Sequence, residues 1–186
     1  MIHNNFRKVV KRFMGAGVVS STIQPLYYDF IDITGYVGNS SDTLVAYVTC
    51  ATFGNSNVSN ATLSSIQTGT SSTYQTLWYA CIGNTAQNEP EYTLGSIIEN
   101  DLTFTTSNIK SGNVVAVTTI TNTGSSDIQF DEVGLFYHVY NTASATNWNG
   151  KKYMNMLLIK EVLNASRTLP AGASVSISFS LFDENN

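Results

Sequence analysis

The chain has 186 residues, 42% of them hydrophobic and 12% charged, so it can bury a core while Ser, Thr and Asn stand where Lys and Glu usually do. Its net charge of −4 hides an asymmetry: Arg7, Lys8, Lys11 and Arg12 supply four of nine basic residues, and from Phe13 onward 5 basic face 13 acidic residues. An acidic body excludes wrapping nucleic acid, because phosphate contacts need clustered Lys and Arg. A neutral polar surface is easier to bury against neighbours than a charged one, which favours an assembly subunit over a freely diffusing enzyme.

At the amino terminus Ile2, Phe6, Val9, Val10 and Phe13 follow helical spacing, with the basic residues on the opposite arc. Asn4 or Asn5 caps the start, and Gly15 and Gly17 end it, which predicts a short amphipathic helix within residues 1–17. Such a helix is marginal alone in water and must be held by something. Three readings stand: packing on its own domain, an anchor docking into a partner protein through Phe6, Arg7, Val10, Lys11 and Phe13, or a membrane-surface helix. The last is weakened by the short length and the lack of Trp. Residues 13–19 are too short and glycine-broken for a signal peptide, so the sequons at Asn39, Asn57, Asn60 and Asn164 mean little. No apolar run has the length of a transmembrane helix.

Residues 18–76 read as strands at 26–33 and 44–50, followed by a long polar loop or arm at 53–73 whose apolar residues, Val58, Leu63 and Ile66, are sparse. Residues 77–186 form the body, with strands at 77–82, 114–120, 128–140, 153–161 and 175–182. Turn chemistry separates them at Thr123-Gly124-Ser125-Ser126, Asn149-Gly150 and Pro170-Ala171-Gly172. The last strand alternates strictly, Val175, Ile177, Phe179 and Leu181 facing one way and Ser174, Ser176, Ser178 and Ser180 the other. Short strands without intervening helices predict an all-β fold: an antiparallel β-sandwich, Ig-like or jelly-roll-like, preceded by the amino-terminal helix. Cys50 and Cys81 fall in apparent strands without framework spacing. They read as buried free thiols, with pairing as the alternative.

The sequence offers no catalytic constellation. Of the two histidines, His3 lies in the terminal helix, and His138 in a strand reads as a structural or surface ring. No HExxH, CxxC, GxSxG, calcium-loop spacing or phosphate-cradling glycine loop occurs, so neither a metal nor a cofactor is expected. Three acidic pairs exist: Asp29 with Asp32, Glu89 with Glu91, and Asp131 with Glu132. Asp131 and Glu132 are neighbours in a strand and point to opposite faces. The acids read as solvated surface groups. Glu132 and Gly134 share a face, a carboxylate beside a missing side chain, which suits a loop that accepts close approach and donates to Glu132, or a pairing of Glu132 with Lys160. Trp148, in a polar loop, reads either as a ligand or subunit contact or as a ring folded back on its own sheet.

The pieces then fall into a familiar order. Ala80-Cys81-Ile82-Gly83-Asn84-Thr85 leads to a short strand at Tyr92-Thr93-Leu94. Next come the strand at 114–122, Glu132-Val133-Gly134-Leu135-Phe136, and Leu157-Leu158-Ile159-Lys160. The Pro170-Ala171-Gly172-Ala173-Ser174 run into the final strand closes the series. This series resembles a family of bacteriophage virion structural proteins, β-sandwich components of head, neck or tail. The opening Asn4-Asn5-Phe6-Arg7-Lys8 is similar to starts seen in such proteins. Residues 26–73 match nothing in the pattern, and Lys160 stands where Arg is commoner.

The resemblance implies a virion subunit without enzymatic activity or cofactor, docking on other phage structural proteins and forming a homo-oligomer. A receptor- or glycan-binding module using Trp148 and residues 53–73 is the alternative, with a host surface glycan as ligand. A glycan-cleaving enzyme comes third.

Overall fold

β-branched and aromatic side chains at every second position favour extended backbone, because they pack well on a pleated surface and crowd a helix. The computed structural model of the chain describes residues 31–37, 57–69, 76–108, 114–140 and 153–180, and turns that pattern into strands. In chain order these are β1 (Val58–Ala61), β2 (Thr76–Asn84), β3 (Ser96–Ile97), β4 (Leu102–Asn108), β5 (Val114–Asn122), β6 (Ile128–Tyr140), β7 (Tyr153–Leu169) and β8 (Ser174–Ser180). One five-residue helix, α1 (Leu63–Gln67), follows β1. The strands pair antiparallel into two four-stranded sheets, ordered β1-β4-β5-β8 and β3-β2-β6-β7. The expected all-β sandwich is therefore the fold. The helix expected within residues 1–17 lies outside the described residues.

The first sheet alternates cleanly. Leu102, Phe104, Ala116 and Ile120 are buried, while Thr103, Thr105, Thr119 and Thr121 between them are partly open. The second sheet is covered on both faces: every residue of β2 from Leu77 to Gly83 is buried. One of its faces meets the first sheet in a shared buried core, and within the second sheet the rings of Trp78 and Tyr137, paired across β2 and β6, lie 5.3 Å apart. The other face is covered by the loop at residues 85–95 and the turn at residues 31–37. Leu94 from that loop settles over Gly83 and Gly134, where an added Cβ would sit 3.0 Å and 2.9 Å from its side chain. The missing side chains at those two positions are the groove that Leu94 fills.

The sheets are also joined edge to edge. Asn108 of β4 accepts from the Trp78 N–H (2.9 Å) and donates to the Trp78 carbonyl (2.9 Å), as a neighbouring strand would. One turn of the pleat further along, Thr118 of β5 accepts the Ala80 N–H at 2.9 Å and shares a hydrogen bond with Thr106. Buried backbone groups need such partners wherever the ladder stops.

The alternation in β8 is as expected: Phe179 is buried, Val175 and Ile177 half-buried, and Ser174, Ser176 and Ser178 exposed. Phe179→Ala should cost about 3–5 kcal/mol, as truncating a buried aromatic does. Ser178→Ala should change stability by less than about 0.5 kcal/mol, as surface substitutions do. Denaturant melts of the two variants check this, and equal losses would mean that the two faces of β8 are exchanged.

Several expectations need correction. Within the polar loop or arm expected at 53–73, the described residues 57–69 form regular structure. Val58 opens β1, which pairs with β4, and Leu63 and Ile66 are the buried residues of α1, so this stretch packs on the sandwich. Thr62 caps α1 by accepting the Ser65 N–H, which lets a Ser-rich run form one helical turn. The strand predicted at 26–33 does not continue through its described end. Ile31 bridges Val37 across a turn, because Asp32 accepts from both the N–H and the hydroxyl of Thr34 and bends the chain. Tyr92-Thr93-Leu94 is a turn, with the short strand β3 starting at Ser96. β4 was not anticipated. The strand expected at 153–161 continues to Leu169, with residues 163–166 bulging out between the pairs Glu132–Val162 and Phe130–Arg167. Asn149-Gly150 and the strand at 44–50 lie outside the described residues.

Candidate functional site

The outward face of the first sheet is a grid of small side chains. Strand register aligns Thr103, Thr121 and Ser174 in one row, Thr105, Thr119 and Ser176 in the next, and Ser107, Val117 and Ser178 in a third. Hydroxyls bridge the strands, Thr121 to Ser174 at 2.7 Å and Thr119 to Ser176 at 2.9 Å, and Thr105 accepts the Asn60 N–H at 3.1 Å. β1, β4, β5 and β8 together contain no Asp, Glu, Lys or Arg. Among the described residues β8 is an edge strand of this sheet, and it carries none of the charges or prolines that usually guard an edge against pairing with another chain.

The charged chemistry lies on the second sheet, in two clusters. In the first, Lys160 of β7 reaches Glu132 of β6 at 3.2 Å and makes an ion pair with Glu89 from the 85–95 loop. Glu132 also accepts the Gly95 N–H at 2.8 Å, and Glu89 the Ala86 N–H at 3.1 Å. Both partners anticipated for Glu132, a loop N–H and Lys160, are present. The picture of solvated acids is corrected here: Glu132 is fully buried, and so nearly is Asp32. A buried carboxylate is tolerable because an ammonium and a backbone donor replace its water. A pair of glycan-cleaving carboxyls has to face a substrate across an open cleft. Glu89 and Glu132 instead converge on one ammonium, an arrangement that clamps the loop to the sheet.

The Lys160 ammonium holds the Glu89 carboxyl below the usual carboxylate range; partial burial opposes this and the Ala86 N–H adds to it. A carboxyl whose pKa is lowered by folding stabilises above its unfolded value and loses that contribution as pH falls through the folded value. Glu89→Gln should therefore melt below the parent at neutral pH. The gap should close as the pH falls through the lowered value at which the parent's own Glu89 protonates. A gap independent of pH would show that Glu89 does not act through its charge.

The second cluster ties the 31–37 turn and the end of α1 to the same sheet. Asn155 of β7 is its hub. Its backbone N–H donates to Asp32 Oδ2 at 2.9 Å, and its carbonyl accepts the Ile33 N–H at 2.9 Å. Its side-chain nitrogen donates to Gln67 O at 2.9 Å, while its side-chain oxygen accepts from the Tyr79 hydroxyl at 3.2 Å. His138 is fully buried beside it, Nδ1 lying 2.9 Å from that same Asn155 oxygen and Nε2 3.2 Å from Gly69 O. Burial pushes the Tyr79 hydroxyl well above its ordinary range, so it remains a proton donor. His138 is thus a buried structural ring.

Asp131 turns away from Glu132 and accepts from the N–H and hydroxyl of Thr85, as the alternation of faces required. Glu91 is exposed. Cys81 is a buried free thiol, and burial pushes its pKa up. Cys50, Asp29, Trp148 and the docking residues Phe6, Arg7, Val10, Lys11 and Phe13 lie outside the described residues. Among the described residues no three His, Cys, Asp or Glu side chains gather as a metal site, and no helix is long and apolar enough to cross a membrane.

No protein-family model, curated protein or solved structure matches this chain.

Proposed function

We propose that the chain is a structural subunit of a bacteriophage particle, a head, neck or tail accessory protein that acts by docking and self-assembly and carries no reaction. The observation that supports this reading most is the charge-free first sheet, with its rows of Ser and Thr. Burying such a face against a neighbour costs no desolvation of ions, and several of its hydroxyls are already paired across strands, so a second protein can cover it cheaply. The uncharged outer strand β8 is open in composition to pairing with another chain. The order of motifs that resembles phage virion proteins points the same way, and the docking segment of this reading is Phe6 to Phe13.

The test is to purify particles produced by the genome that encodes this chain, then quantify the protein by mass spectrometry and locate it by antibody labelling in electron micrographs. The expected result is a fixed copy number per particle at one site of the virion. A protein found only in the soluble fraction of the lysate sinks the reading. Deleting residues 1–14 should leave a soluble sandwich that no longer enters particles, and normal incorporation would remove the docking role from that segment.

A further inference from the structure

The first sheet ends in two unlike edges. β1 is four residues long, its register against β4 shifts between Val58 and Ala61, and Asn60 within it has a left-handed backbone (φ 51°). A strand so short and irregular is a poor template for another strand. β8 is the opposite case. It has seven residues, its register against β5 runs unbroken from Ser174 to Phe179, and among the described residues β5 is the only strand beside it. The core is also less closed along this edge. Val175 and Ile177 are half-buried, whereas Ile120 of β5 and Phe104 of β4 have no exposed surface.

The sequence of β8 indicates what fits this edge. Ser-Val-Ser-Ile-Ser-Phe-Ser alternates small polar and apolar residues identically in either direction. Two copies laid antiparallel about Ile177 pair all seven residues. Ile177 then meets its own copy, Val175 meets Phe179, and Ser176 meets Ser178. Directly opposite residues of an antiparallel pair share a face, so apolar rows join on the inner side and hydroxyls on the outer. The strand carries no charge, so self-pairing sets no like charges against each other.

We propose that the partner of β8 is a second copy of this chain, related by a two-fold axis at Ile177 that joins two four-stranded sheets into one of eight strands. A contact on a two-fold axis must be complementary to itself, and β8 is. The inference rests on the self-assembly proposed above and names the contact that carries it. A strand edge about 24 Å long is small beside the roughly 1,200–2,000 Å² that stable interfaces bury. The dimer therefore forms reversibly, as concentration rises.

The experiment is sedimentation equilibrium of the purified full chain up to about 1 mM, where even weak association shows. The expected result is a reversible equilibrium between monomer and dimer. Ser176→Lys with Ser178→Lys sets lysine opposite lysine twice across the axis and should leave monomers. Ser176→Lys with Ser178→Glu sets each lysine opposite a glutamate and should restore the dimer. Both positions are exposed, so both variants should keep the fold. A parent that stays monomeric overturns the proposal and leaves β8 to a strand from a different protein. A dimer that survives the lysine pair overturns it too, as does one that the lysine–glutamate variant fails to regain. The virion reading is decided separately, by the content of purified particles.

Discussion

Lys160→Met should lower stability by about 3–5 kcal/mol, the usual consequence of leaving one member of a buried ion pair without its partner. Glu132 has no exposed surface, so without the ammonium its carboxyl is left with the Gly95 N–H and the side chain of Glu89, itself an acid. Glu89 suffers less, because a quarter of its side chain reaches solvent (24% exposed, against none for Glu132). The double variant Lys160→Met with Glu132→Leu removes both buried charges, and it should recover most of the loss, as apolar replacements of buried ion pairs often do. Urea melts with unchanged slope are the measurement. A double variant as unstable as the single one would mean that packing of the lysine stem, not the orphaned charge, is what matters.

Asn155→Leu should be still more damaging. Leucine keeps the volume but withdraws a hydrogen bond from the Tyr79 hydroxyl, His138 Nδ1 and Gln67 O, three groups from different elements, the first two on fully buried residues and the last on a partly buried one. Each hydrogen bond lost from a buried group costs about 1–3 kcal/mol, so a loss of about 3–9 kcal/mol is expected from the three together. That is a large part of the 5–15 kcal/mol that holds an ordinary domain folded, so the variant should be partly unfolded at room temperature. Tyr79→Phe removes a single donor from the same oxygen and should cost only about 1 kcal/mol. Circular dichroism melts of the two variants test the ranking. Similar small losses would show that Asn155 is not the hub of this network.

Much of this fold was legible in the residues. Period two in β8, the Glu-Val-Gly sequence of β6 and the turn at Pro170-Ala171-Gly172 each specify local geometry without help from the rest of the chain. Glu132 and Gly134 on one face even indicated that a loop would lie there, and Leu94 does. Tertiary context decided the parts that were missed. Val58, Leu63 and Ile66 are too few to signal a core by periodicity, yet each is buried, because the sandwich offers β4 and β7 as surfaces for a short strand and a single helical turn. The strand β4, Leu-Thr-Phe-Thr-Thr-Ser-Asn, has only two large apolar residues, and its third inward position is Thr106, whose hydroxyl is satisfied by Thr118. A sequence pattern scores that threonine as surface.

The polar cluster around Asn155 was missed for a similar reason, although a signal was present. Asn155 sits between Met154 and Met156 in an otherwise apolar run, and His138 lies between Tyr137 and Val139. A polar residue inside a run buried on both faces must find a partner. What the run cannot reveal is which partner, since Asp32 is 123 positions away from Asn155 in sequence.

The borrowed strand edge, in which Asn108 takes both backbone groups of Trp78, bears on how the protein comes apart. Hydrogen bonds within a sheet can break while the other sheet survives, but this one belongs to both. Neither sheet can open at that edge without exposing backbone in the other. With Thr118 on Ala80 adding a second shared bond, unfolding should be a single cooperative event, with the same midpoint whether it is followed at Trp78 in the core or by backbone circular dichroism.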